Sequence, residues 1–316
     1  MLQGFGSADA AAGRAGLSVQ GARAALACVS GAGARQQLDA RVVEVSSDAD
    51  GEPMLDQLQL AGRTAACLRT STVLPDGSYQ LLLEELPNVP REELQKAIGW
   101  RVRDRIDMPL EDAIIELFDM PEQARAGSKP SAYAAITARG VVENLVRRIR
   151  QAGFRLDAID LPELCLRNIA VRLPQDANGV AFLHFTDDCG LLTITRGGVL
   201  YLIRRIDVGQ LALDRTPGTQ MRSGLIPTVC LELQRSLDYY ETHYDCRPVT
   251  ELVFGPGSGV GPLQEAVRDQ LGLNVSTLDL ADLFATNTTI DETVQHECLL
   301  AVGAALRCAA PEATSK

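Results

Sequence analysis

Val180-Ala-Phe-Leu-His-Phe185, Gly190-Leu-Leu-Thr-Ile-Thr195 and Val199-Leu-Tyr-Leu-Ile-Arg-Arg-Ile206 are three short apolar runs separated by turn residues. Gly197-Gly198 between the second and third is a hairpin signal. The stretch predicts a three-stranded meander. Downstream, Pro227 opens a long helix that places Val229, Leu233, Leu237, Tyr240 and Tyr244 on one face. Glu251–Phe254 then reads as a buried strand. Toward the N-terminus the same order is found. Gly16–Val19, a turn at Gln20-Gly21, Ala24–Ser30, a turn at Gly31–Ala34 and Leu38–Val45 form the first meander. Pro53 starts a helix carrying Met54, Leu55, Leu58 and Leu60, and Thr64–Arg69 is a strand. A meander followed by helix and strand thus occurs twice, which predicts two similar lobes facing each other.

The segment 84–155 breaks the repeat. Pro90, with Glu92 and Glu93 behind it, marks a helix start where acids complement the dipole. Leu94, Ile98, Val102 and Ile106 recur every four residues until Pro109. Ile114–Phe118 and Ser131–Thr137 are strand-like. A second helix carries Val142, Leu145, Val146, Ile149 and Ala152, with Gly153 as its stop. The order helix–strand–strand–helix predicts an inserted α+β subdomain. The expected layout has 1–14 as a flexible lead. Residues 15–83 and 156–178, with a C-terminal helix at 295–307, form the first lobe. Residues 84–155 are the insertion and 179–294 the second lobe. This is the logic of the α/β, duplicated ribonuclease-H-like, actin type of fold.

The chain has 316 residues, 46% of them hydrophobic, and carries 30 Lys+Arg against 41 Asp+Glu, a net charge of −11. That balance excludes non-specific nucleic-acid binding, which needs a basic surface, and argues against direct docking on an anionic leaflet. The longest apolar run, Cys298–Leu306, is too short to span a bilayer. The stretch 1–16 lacks the charged start and apolar centre of a secretory signal. Eight cysteines are scattered without a Cys-x-x-Cys pair, which fits a reducing cytoplasm.

Pro87-Asn-Val-Pro-Arg-Glu-Glu-Leu94, Ile98-Gly-Trp100 and Ile106-Asp-Met-Pro109 resemble the MshI family of mannose-sensitive haemagglutinin (MSHA) pilus biogenesis proteins. That family is PilM-like and belongs to type IV pilus assembly. Ala152-Gly-Phe154, Ile159-Asp-Leu-Pro-Glu-Leu164, Leu166-Arg-Asn-Ile169, Leu233-Gln-Arg-Ser-Leu-Asp-Tyr-Tyr240 and Val302-Gly-Ala-Ala-Leu-Arg307 carry it further. The resemblance covers roughly residues 54–307 and is most specific over 80–169. It implies an actin-like fold related to FtsA and a scaffold in the cytoplasm, peripheral to the inner-membrane face. It also implies a partner, the cytoplasmic tail of a PilN-like inner-membrane protein (MshJ in the MSHA system), with self-association as a further expectation. In PilM the groove of the fold binds ATP.

An actin-like Mg-ATP site needs two Asp-x-Gly hairpins and a Gly-rich loop. Here the hairpins read Ser18-Val19-Gln20 and His184-Phe185-Thr186, without carboxylate or glycine, and Asp187 and Asp188 are displaced along the turn. The expectation is no enzyme, no catalytic residues and no bound cofactor. The opposing alternative is an active actin-like ATPase of pilus or type II secretion machinery. Gly255, Gly257, Ser258 and Gly259, between a strand and a helix, are the candidate remnant of a nucleotide loop. Pro256 removes a donor there, and the stretch reads equally as a strand-to-helix turn. Glu232 is a candidate groove carboxylate or a solvated helix residue. His243-x-x-Cys246 and His296-x-Cys298 lack the spacing of a metal site, and no Gly-x-Ser-x-Gly elbow accompanies the three histidines. For the partner tail the candidate residues are Leu86, Pro87, Val89, Pro90 and Trp100, because Pro87 and Pro90 hold an extended backbone at a subdomain junction. Trp100 reads otherwise as a core anchor. Arg204-Arg205 is a surface pair or a contact for a partner's carboxylate.

Overall fold

The computed structural model describes residues 13–31, 36–46, 68–123, 127–216, 220–287 and 289–307. Of the expected lead at 1–14, residues 1–12 lie outside these residues, as do the helix from Pro53 and most of the strand at Thr64–Arg69, whereas Arg14 already belongs to the first strand. Among them, fourteen strands form three sheets.

The first meander is β1 (Arg14–Gln20), β2 (Arg23–Ser30) and β3 (Gln37–Glu44). The β1–β2 turn uses Gly21 at φ +55°, a left-handed position that costs glycine nothing. β4 (Arg69–Val73) pairs parallel to β1, and β8 (Arg155–Asp160) pairs parallel to β4. The second meander is β9 (Val180–Phe185), β10 (Gly190–Arg196) and β11 (Val199–Ile206), with β12 (Glu251–Phe254) parallel to β9 and β13 (Asn274–Thr277) beyond it. The two sheets therefore share a plan, three antiparallel strands and then parallel ones. The short β14 (Ala285–Thr286) closes the outer edge of the first sheet against β3.

β9 is buried throughout and β10 is buried up to its last residue, the half-buried Arg196, because helices cover both faces of their sheet. On one face lie α5 (Ile226–Tyr244) and α6 (Gly261–Leu271), packed on Leu183, Phe185, Leu192 and Ile194. On the other lie α3 (Pro162–Ala170) and α8 (Glu292–Ala305), which also cover Ala25, Ala27, Val29 and Val73 of the first sheet. α3 and α8 thus sit between the two sheets. Asp291 caps α8 by accepting from the Val294 amide at 2.8 Å, and Gly272 ends α6 at φ +66°.

The third sheet corrects the expected insertion at both ends. Its order is β5-β7-β6, from β5 (Tyr79–Glu85), β6 (Ala113–Asp119) and β7 (Ser131–Ala138). β5, expected in the first lobe, belongs here because all seven of its residues pair with β7. Helix α1 (Arg91–Val102) covers this sheet, burying Ile98 and Val102 against Ile115, Ala134 and Ile136. Helix α2 (Arg139–Gln151), expected in the insertion, turns away from it. Its Ile149 and Leu145, with Ala152 and Phe154, pack on Ala15, Leu17, Ala24 and Leu26 of the first sheet. The remaining helices are the short α4 (Gln210–Arg215) and α7 (Leu280–Leu283).

Candidate functional site

Two regions were candidates, the cleft between the lobes and the junction with the third sheet. In the cleft the β1–β2 and β9–β10 turns face each other, as the duplication requires. Arg23, at the start of β2, bridges them. Its guanidinium donates to Asp187 at 3.0 Å and to Glu297 of α8. Asp187, the displaced carboxylate of the second hairpin, is thereby engaged by an arginine of the first.

The Gly255–Gly261 loop is occupied by the protein's own side chains. A Cβ at Gly255 would stand 2.6 Å from His184 Nδ1, and one at Gly257 would stand 2.9 Å from Gln210 Oε1 and 3.2 Å from His296 Nδ1. Gln210 donates to the carbonyl and hydroxyl of Ser258 at 2.9 and 3.0 Å, and Ser258 Oγ donates to Asp214 at 2.7 Å. Gly259 sits at φ +72°, which no other residue takes up without strain. These glycines therefore serve close packing of imidazole rings and a tight turn. His184 and His296 lie with ring centroids 5.0 Å apart. Burial first, and the neighbouring His296 second, hold His184 well below the usual imidazole range. It is a neutral ring at neutral pH, and hard cations such as Mg²⁺ favour oxygen ligands.

The other chemistry-bearing candidates are dispersed. His243 stacks on Tyr239, Cys298 is buried against the Arg41 carbonyl, and no three metal-ligating side chains converge among the described residues. Glu232 pairs with Arg235 at 2.7 Å and lies 4.0 Å from Arg204 of β11. Leu86 and Pro87 are half-buried beyond β5, where the Leu86 amide donates to Pro130. Val89 is also half-buried and Pro90 is exposed. Trp100 is 57% exposed on the outside of α1, with Arg103 over its ring. It is not a core anchor.

The cavity at the junction lies elsewhere. A groove of about 720 Å³ runs between β5, the edge strand of the third sheet, and β11, the edge strand of the second lobe. Five of the chain's six tyrosines, Tyr79, Tyr133, Tyr201, Tyr239 and Tyr244, line it together with Leu81, Leu83 and Met120. Tyr133 crosses it to donate to the Ile203 carbonyl at 3.4 Å. That carbonyl, and with it the Ile203 N–H, points off the free edge of β11, since both groups of one residue face the same way in an antiparallel strand. Beyond Leu83 the groove opens into a second hollow of about 590 Å³ between Glu85, Lys129 and His243. None of Leu86, Pro87, Val89, Pro90 or Trp100 lines either hollow.

Three charged side chains complete the groove, Arg204, Arg205 and Glu163, and Arg204 is the one already seen 4.0 Å from Glu232. Arg205 pairs with Asp76 in the Pro75–Gly77 turn. Glu163, second residue of α3, is 3% exposed and is bound by the Tyr79 hydroxyl, 2.8 Å from both carboxylate oxygens. Burial raises its pKa above the ordinary glutamate value. A carboxyl raised in this way favours the folded state at low pH, and that contribution is lost as pH rises through its folded titration. Glu163→Gln keeps an acceptor for Tyr79 and removes the charge. The melting temperature of the variant relative to the parent should therefore rise between pH 4.5 and pH 7.5. A difference independent of pH, read from melts at the two values, would contradict this account.

Sequence reading missed this groove because its tyrosines come from β5, β7, β11 and α5, far apart in the chain. The one readable signal was that a chain with 4% aromatics spaces Tyr239, Tyr240 and Tyr244 along one helix.

No protein-family model matches the chain, and no curated protein matches it. Among solved structures, it is similar to a PilM–PilN type IV pilus biogenesis complex, with a TM-score of 0.68 and 20% identity over 93% of this chain and 97% of that one. It is also similar to a protein of Bacteroides thetaiotaomicron with an actin-like ATPase fold and unknown function, with a TM-score of 0.51 and 10% identity over 94% and 99%. The cytoplasmic domain of EpsL, an inner-membrane component of the Vibrio cholerae type II secretion system, matches at TM-score 0.48, 10% identity and 91% and 94% coverage. The fold is actin-like, as its duplicated sheets indicated. No described helix is long and apolar enough to cross a membrane.

Proposed function

We propose that this chain is a PilM-like scaffold of a type IV pilus assembly machine of the MSHA type. In this reading it works on the cytoplasmic side of the inner membrane, and the groove between β5 and β11 holds the cytoplasmic tail of a PilN-like (MshJ-type) membrane protein. The observation that carries it is the groove itself: a free strand edge with outward-facing Ile203 opposite a second free edge, walled by tyrosines. An extended tail adding to such an edge gains main-chain bonds, and alternate side chains enter the aromatic walls. The similarity to a structure from a PilM–PilN complex supports the assignment of partner. The groove takes the place of Leu86–Pro90 and Trp100 as the docking site. Titration of the synthetic tail into the protein should give micromolar affinity, because a short chain loses its own entropy on docking. Trp100→Ala should leave that affinity unchanged. Absence of binding would refute the proposal.

We also propose that the cleft does not hydrolyse ATP. Arg23 holds Asp187, His184 fills the space over Gly255, and Ser18 stands where a Mg²⁺ carboxylate is needed. Phosphate release with Mg-ATP should stay at background. Turnover that vanishes in Asp187→Asn would instead establish the ATPase alternative.

A further inference from the structure

We infer that Glu163 selects a cationic side chain on the segment that occupies the groove. The inference rests on the groove being a peptide site and adds its charge specificity. Glu163 lines the groove floor, yet among the described residues its hydrogen-bonding side-chain partner is the neutral phenol of Tyr79. The cations in the same wall are engaged elsewhere, Arg205 with Asp76 and Arg204 at 4.0 Å from Glu232. A desolvated carboxylate without a bonded cation is costly. The N-terminus of α3 offsets only part of that cost. An arginine or lysine on the occupant would supply the missing charge-assisted bond, which is stronger than a neutral one and is lost in full if unmade. Segments next to membrane spans on the cytoplasmic side are rich in such residues, and the net charge of −11 aids their encounter.

The groups facing Glu163 are Tyr79 and Tyr133 from the third sheet, Asp76 from the turn before β5, Arg205 from β11, Cys165 on α3 and Cys189 at the β9–β10 turn. Burial pushes Tyr133 to about 12 and Cys189 to about 11, and drives Tyr79 and Cys165 up as well. None of these four gains or loses a proton in the range where a raised carboxyl titrates. A bound cation therefore displaces the proton of Glu163, and its advantage grows as pH rises.

The test uses synthetic apolar peptides of about seven residues, the length of a β5-sized strand. Arginine is moved through each position, and a matched set carries uncharged citrulline. At one position the arginine peptide should bind the full-length protein about 10- to 100-fold more tightly than its citrulline twin. Glu163→Gln should remove that preference while keeping citrulline binding. In the parent protein, arginine-peptide affinity should rise from pH 5 to pH 8 and citrulline affinity should not, a readout independent of any variant. Equal binding of the twins at every position, or a preference that survives Glu163→Gln, would overturn the inference. Failure of every peptide to bind would overturn the groove reading, and the inference with it.

Discussion

Gly16→Ala should leave little folded protein at ordinary temperature. Gly16 lies in β1, where the strand passes against α8. A Cβ there would collide with the Ala301 carbonyl oxygen and stand 2.6 Å from the Ala305 nitrogen. Both are backbone atoms of a buried helix, so neither can swing aside as a side-chain tip would. Gly303, on the same helix, meets α3 in the same way, where a Cβ would stand 2.6 Å from the Cys165 carbonyl carbon. Overpacking normally costs about 1–3 kcal/mol, because side chains and backbone can adjust. Here a helix would have to separate from a sheet, and more than about 4 kcal/mol is expected, a large part of the usual 5–15 kcal/mol. Gly140, helical and with open space around it, is the control, since alanine there should stabilise slightly. Urea unfolding of Gly16→Ala, Gly303→Ala and Gly140→Ala gives the comparison. A Gly16→Ala protein as stable as its parent would mean that α8 does not seat on β1 so closely.

The second large effect concerns binding. Ile203→Pro combined with Leu83→Asp should weaken tail binding about 100-fold with the fold intact. Ile203 directs its N–H off the edge of β11, so proline removes no bond within the sheet, and edge strands tolerate it there. It does remove a main-chain donor that the tail would use, worth about 1 kcal/mol. Leu83 is 42% exposed on the opposite wall, so aspartate costs little in the free protein and sets a charge against an apolar occupant. Calorimetric titration beside circular dichroism decides the matter. Unchanged affinity with an unchanged spectrum would remove the tail from this groove.

The duplicated plan was legible because each meander is written locally, by apolar runs and glycine turns such as Gly197-Gly198. The long helix from Pro227 was legible for the same reason, its apolar face repeating with the helical period. The limits of the insertion were not. Tyr79–Leu83 reads as a strand wherever it pairs, and only β7 decides which sheet it joins. The inner face of α2 is apolar whether it covers the third sheet or the first, and Ile149 meets Leu17 through contacts far apart in sequence. At the cleft, the missing Asp-x-Gly pattern was visible. Its replacement by Arg23, Asp187 and Glu297 was not, because those residues come from three separate segments. Trp100 drew notice as the only tryptophan, although rarity says nothing about which way a side chain points.

The free edge of β11 has a mechanical consequence. A strand laid along that edge and pulled along its own axis would have all its ladder bonds loaded together in shear. A tail seated only by its side chains in pockets would peel away one contact at a time. A grip of this kind can be weak at equilibrium and still hold under a brief load, because rupture requires the whole register to slip at once.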